Sequence, residues 1–89
     1  MLVSRGGEAL AMGDVTAARL FYRRGADDGD GTAAFRLGTT FDPAFLAQAR
    51  VGRVAGDPAI ALYWYRRARD LGNRDADLVL KNFALARRQ

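Results

Sequence analysis

The chain has no cysteine and no histidine, only two prolines, and a single lysine among its 14 basic residues. Without cysteine there is no disulfide, no thiolate nucleophile and no zinc finger. Without histidine the commonest general base and metal ligand is missing. The hydroxyls of Ser4, Thr16, Thr32, Thr39 and Thr40 therefore have no imidazole or thiol to complete a nucleophilic triad. No apolar run approaches the roughly 18 residues of a membrane span. The opening "MLVSRGGEALAMGD" does not read as a secretory signal, because Arg5, Gly6, Gly7 and Glu8 interrupt its short apolar stretch. The expectation is a soluble chain, cytoplasmic, or periplasmic if it is cut from a longer envelope protein.

The acidic residues do not form a catalytic or metal constellation either. Asp27, Asp28 and Asp30 lie beside glycines at what reads as a helix end, a solvated turn. They lack the alternating oxygen ligands and closing glutamate of a calcium loop. "GDGTAAFRLG", Gly29 to Gly38, is glycine-rich but has no Lys-Ser/Thr pair and no preceding strand, so it is not a phosphate loop. No catalytic residue, metal site or cofactor is expected, and the chain reads as a non-enzyme.

What is present is the composition of one small folded domain: 89 residues, 49% hydrophobic and 27% charged, with a net charge of +4. Thirteen of the 14 basic residues are arginine. With abundant alanine, that bias is as natural to a GC-rich genome as to selection for phosphate binding.

The main organising feature is a duplication. A shift of 43 residues aligns "GDVTAARLFYRRGADDGDGTAAFRLGT", Gly13 to Thr39, with "GDPAIALYWYRRARDLGNRDADLVLKN", Gly56 to Asn82, and 10 of the 27 aligned positions are identical. Each copy reads as a helix, a short turn and the start of another helix. Asp14 and Asp57 are natural N-caps, and Pro58 occupies the first helical position, where its missing N–H is harmless. Gly29 and Gly72 stand where each helix should end in a left-handed residue. Ala61, Trp64, Tyr65 and Ala68 recur at i, i+3, i+4 and i+7, the stripe of a helix buried along one face. Ala18, Phe21, Tyr22 and Gly25 repeat it in the first copy. Gly25 in a helix interior is unfavourable by roughly 1 kcal/mol relative to alanine, which implies a close helix contact there.

A second helix follows each glycine. Thr32 to Phe41 places Ala33, Leu37 and Phe41 on one stripe, and Gly38 admits a close neighbour. Ala76, Leu80 and Phe83 to Ala84 continue the pattern. With an initial helix around Glu8 to Met12, about five helices are expected, stacked as antiparallel hairpins with no strand. The connection Asp42 to Gly56 is longer than a hairpin needs, and its apolar pair Phe45 and Leu46 suggests a helical turn.

These residues resemble the tetratricopeptide-repeat superfamily, and more closely its Sel-one-like branch. The resemblance is carried by Ala33, Leu37-Gly38, Phe41, a glycine-containing loop, Asp57, Ala61, Trp64-Tyr65, Ala68 and Gly72, in that order. It implies an all-α, right-handed superhelical solenoid of helix hairpins: a half repeat over 1–29, a full repeat over 30–72 and a terminal half repeat over 73–89. Two departures are evident. The loop reads Gly52-Arg53-Val54 with several extra residues, and Lys81 stands where the preceding repeat has Gly38, as suits a terminal capping element. Proteins of this family generally act as interaction scaffolds, and bacterial members often sit in signalling or envelope-associated assemblies.

The expected function is thus a non-catalytic interaction module or scaffold, holding a partner protein or peptide on its concave face or exposed end helices. The candidate contacts are Thr32, Arg36, Thr39 and Thr40 from one helix and Asp75, Val79 and Asn82 from its equivalent. Phe45 or Leu46 could instead fill that groove. Apolar surface on the end helices points to homo-oligomers as a further expectation. The alternative is nucleic-acid binding through an arginine ridge, Arg23-Arg24 and Arg66-Arg67. Against it, Trp64 and Tyr65 fall on the buried stripe, where no base can stack. The plainer reading puts Arg66 and Arg67 on the outer face of the helix, paired with Asp70. Of the three rings in "YWY", Tyr63 is the one expected to be exposed.

Overall fold

The computed structural model describes residues 1–49 and 54–87, with side chains described through Phe83. Six helices and, among the described residues, no strand make the protein all-α: α1 Leu2–Ala11, α2 Val15–Asp27, α3 Gly31–Thr39, α4 Pro43–Ala49, α5 Pro58–Asp70 and α6 Arg74–Arg87.

Short carboxylates and one amide start them. Asp14 Oδ1 accepts from the Ala17 amide at 3.0 Å, and Asp57 Oδ1 from Ala59 and Ile60 at 3.1 and 3.2 Å. Asp30 accepts from Thr32 and Ala33, and Asn73, 43 residues on, accepts from Ala76 at 2.9 Å. Gly29 and Gly72 close α2 and α5 with φ of 89° and 92°, as the duplication predicts.

Two differences from the sequence reading have physical causes. The expected five helices are six, because Asp42 also caps: it accepts from the Ala44 amide at 3.0 Å and starts α4 with Pro43 at the first position. The Gly52-Arg53 part of that connection lies outside the described residues. The first helix begins at Leu2 rather than near Glu8, in spite of Gly6 and Gly7. Gly6 is buried against the Tyr22 ring, so tertiary contact outweighs weak helix propensity.

The five longer helices pack in succession, α1 on α2, α2 on α3, α3 on α5 and α5 on α6, and α1 also touches α3. Consecutive helices joined by three residues and packed side by side, as α1–α2, α2–α3 and α5–α6 are, run antiparallel. The α3–α5 pair does too, since Gly31 at the start of α3 meets Leu71 and Ala68, while Gly38 near its end meets Tyr65 and Ala61. Much of the core is small. Ala18, Ala33, Ala34, Ala61, Ala68 and Ala76 are all fully buried, around the rings of Tyr22 and Tyr65. The close contacts expected at Gly25 and Gly38 are there: a Cβ at Gly25 would stand 2.6 Å from Ala33 Cβ, and one at Gly38 2.7 Å from the Tyr65 ring. Trp64 and Tyr65 are buried at 8% and 1% exposure, while Tyr63 is 61% exposed. Phe21 is only half-buried, although Trp64, its counterpart, is not. On α6, Ala76 is buried and Phe83 lies 6.2 Å from Tyr65 between ring centroids; the Ala84 side chain is outside the described set.

Candidate functional site

One face of α3 carries Thr32, Phe35, Arg36 and Thr39, at i, i+3, i+4 and i+7; Thr32 and Arg36 are exposed, while Phe35 and Thr39 are half-buried and the Phe35 ring lies 5.6 Å from that of Tyr65. These four line a cavity of about 200 Å³. Leu10 and Tyr22 close it from the α1–α2 hairpin, Phe45 from α4, and Asn73 and Asp75 from the start of α6. Its wall is therefore two phenyl rings set among hydroxyls, one cation and one anion. Arg36 and Asp75 are both exposed, and neither makes an ion pair among the described residues. Thr39 Oγ1 donates to the Arg36 carbonyl at 2.6 Å.

Thr32, Arg36, Thr39 and Asp75 are thus brought together as the repeat register proposed. Val79 and Asn82 are not. They line a second, more apolar cavity of about 450 Å³ with Pro43, Ala44, Pro58 and Phe83. The cause is α4, which gives Phe45 to the first cavity and Pro43 and Ala44 to the second, so that it divides the face. Leu46, the other residue proposed to fill the groove, turns inward and is buried.

Thr40 is a correction. It is fully buried: Thr40 Oγ1 donates to the Leu37 carbonyl at 2.6 Å and accepts from Arg19 Nε at 3.3 Å. Ala33, Leu37 and Thr40 lie at i, i+4 and i+7, so the helical period already placed Thr40 on the core stripe. Arg19 in turn donates to the Thr40 carbonyl at 2.6 Å and the Ala55 carbonyl at 3.4 Å, and covers the Phe41 ring at 3.8 Å. Burial lowers its pKa from the free arginine value. Arg19 therefore fastens the segment before α5 to α2.

Arg23, Arg24, Arg66 and Arg67 are all exposed. Arg23 pairs with Asp27 at 3.1 Å and lies 5.1 Å from the Trp64 ring. Arg24, Arg66 and Arg67 are exposed, with no ion pair among the described residues. The expected pairing of Arg66 or Arg67 with Asp70 is replaced by Arg69–Asp70 at 3.3 Å.

The two repeat tyrosines differ in one atom's fate. Tyr65 packs on Gly38 and donates its hydroxyl to Asp42 Oδ2 at 2.7 Å. Burial first, then that bond and the carboxylate charge, push its pKa well above the usual phenol value. Tyr22 packs on Gly6 in the same way, yet its buried hydroxyl has no hydrogen-bond partner among the described residues. Asp42 lies four residues after Gly38, and four after Gly6 stands Leu10, which cannot accept.

Leu10, Tyr22, Phe35 and Asn73 escaped the sequence reading as lining residues. Asn73 was accessible to it, as the counterpart of Asp30; the approach of α1 was not, because α1 lies outside the aligned copies. No group of three acidic residues among the described ones is placed to hold a metal. No described helix is long and apolar enough to cross a membrane. Comparison with protein-family models, curated proteins and solved structures returns no match to this chain.

Proposed function

We propose that the protein is a non-catalytic interaction module that holds a peptide segment of a partner protein along the α3 face. The observation that carries this reading is the cavity itself, where Phe35 and Phe45 offer apolar contact beside Arg36 and Asp75, neither of which makes an ion pair among the described residues. Pockets of this kind bind through apolar contact and are oriented by a few polar groups.

The architecture behind this proposal is a short right-handed superhelix of Sel-one-like repeats, with 1–29, 30–72 and 73–89 as its units. Support comes from the 43-residue duplication and from the neighbour-on-neighbour packing of the helices. In such a stack the first helix of each hairpin lines the concave side, and here α1, α3 and α6 all contribute to the cavity. Lys81 in place of Gly38 fits a terminal element, because an α5-like helix cannot seat its tyrosine there.

The test is a fluorescence-anisotropy screen of ten-residue peptides against the protein and a Thr32→Trp variant. Thr32 is exposed, so the indole fills the cavity without disturbing the core. Peptides that bind the parent should lose affinity at least about tenfold in the variant. Retention of every peptide by a folded Thr32→Trp protein places binding elsewhere. Arg24, Arg66 and Arg67, exposed and without an ion pair among the described residues, favour the second reading, nucleic-acid binding. That reading requires retention on an oligonucleotide that collapses with rising salt and with Arg66→Glu plus Arg67→Glu.

A further inference from the structure

Arg36 of α3 and Asp75 of α6 line one cavity, and neither makes an ion pair among the described residues. Phenyl rings flank them, so charges brought into this site are less screened than on open surface. A ligand of one sign meets one matching and one repelling side chain. A ligand that carries both signs meets two matches. From Thr32 to Thr39 the α3 wall spans about 10 Å at 1.5 Å per residue. That length accommodates about three residues of extended chain at roughly 3.3 Å each. The hydroxyl of Thr32 makes no side-chain hydrogen bond among the described residues and is free to meet a peptide backbone.

Resting on the peptide-binding reading above, we infer that the cavity selects a segment of mixed charge. Its acidic residue sits at Arg36, its basic residue at Asp75, and an apolar residue between them rests on Phe35 and Phe45. Charge complementarity selects this occupant: an acidic peptide, a basic peptide and a polyanion each leave one of the two side chains opposed.

The experiment uses four sets of labelled ten-residue peptides of equal apolar content, with acidic residues only, basic residues only, both, or neither. Anisotropy is measured on the full chain and on Arg36→Glu, Asp75→Arg and the double variant. Both positions are exposed and make no ion pair among the described residues, so the fold should survive, which far-UV circular dichroism checks. The parent should bind the mixed set about 3- to 10-fold tighter than either single-sign set. Arg36→Glu should move the preference to the basic set and Asp75→Arg to the acidic set. The double variant should regain the mixed set. Binding of all four sets alike, or a mixed preference that survives both single reversals, overturns the inference and leaves peptide binding standing. If no set binds the folded parent, the peptide-binding reading falls and this inference with it.

Discussion

Tyr22 and Tyr65 are duplicates whose truncation to phenylalanine should have opposite signs. At Tyr65 the change removes a 2.7 Å bond to a half-buried carboxylate. Hydrogen bonds to charged groups contribute about 1.5–3 kcal/mol. For a domain of this size, 2 kcal/mol is about 8–16 °C in Tm. At Tyr22 the same atom is buried with no partner among the described residues, a state that is unfavourable by about 1–3 kcal/mol. Tyr22→Phe keeps the ring against Gly6 and removes that penalty, so it should be neutral or stabilising by up to about 2 kcal/mol. Urea unfolding followed by the single tryptophan, Trp64, which is buried, reads both. Leu10→Asp should restore the missing acceptor. Its effect should couple to Tyr22→Phe by more than about 0.5 kcal/mol in a double-mutant cycle. If Tyr22→Phe destabilises as much as Tyr65→Phe, or the cycle shows no coupling, the equivalence of Leu10 with Asp42 is wrong.

Two further outcomes are expected. Gly38→Ala should destabilise by about 1–3 kcal/mol, since its Cβ would meet the Tyr65 ring at 2.7 Å and the Ala61 carbonyl at 3.3 Å. Gly7→Ala, whose Cβ meets only the Tyr22 hydroxyl at 3.9 Å, should instead stabilise by up to about 1 kcal/mol through helix propensity; thermal melts of the pair decide. The raised pKa of Tyr65 sets an alkaline dependence. Above pH about 10 the unfolded chain releases that proton and the folded chain keeps it. The advantage of the parent over Tyr65→Phe should then shrink by up to about 1.4 kcal/mol per pH unit. A constant gap between pH 9 and 11 refutes it.

The caps, the left-handed glycines and the buried aromatic stripe were legible because each is a local requirement. A helix start needs an acceptor, its end a positive φ, and its buried face a period of 3.6, and the 43-residue shift showed them twice. The four groove positions Thr32, Arg36, Thr39 and Asp75 followed from the same period. Thr40 was misplaced although Ala33 and Leu37 already marked its stripe. The rest depended on which surfaces meet. Asp42 holds Tyr65 while Leu10 leaves Tyr22 without an acceptor, because α1 packs on α2 in the register α3 adopts on α5. Arg19 reaches Thr40 and Ala55, 21 and 36 residues away, and Arg23 settles beside Trp64. Local chemistry in the sequence determined where α2, α3 and α5 begin and which faces they bury, whereas α1 extends back to Leu2 only because Gly6 packs on Tyr22. The tertiary structure alone decided how α4 divides the outer face and which charges meet there, since those distances are set by helix–helix packing.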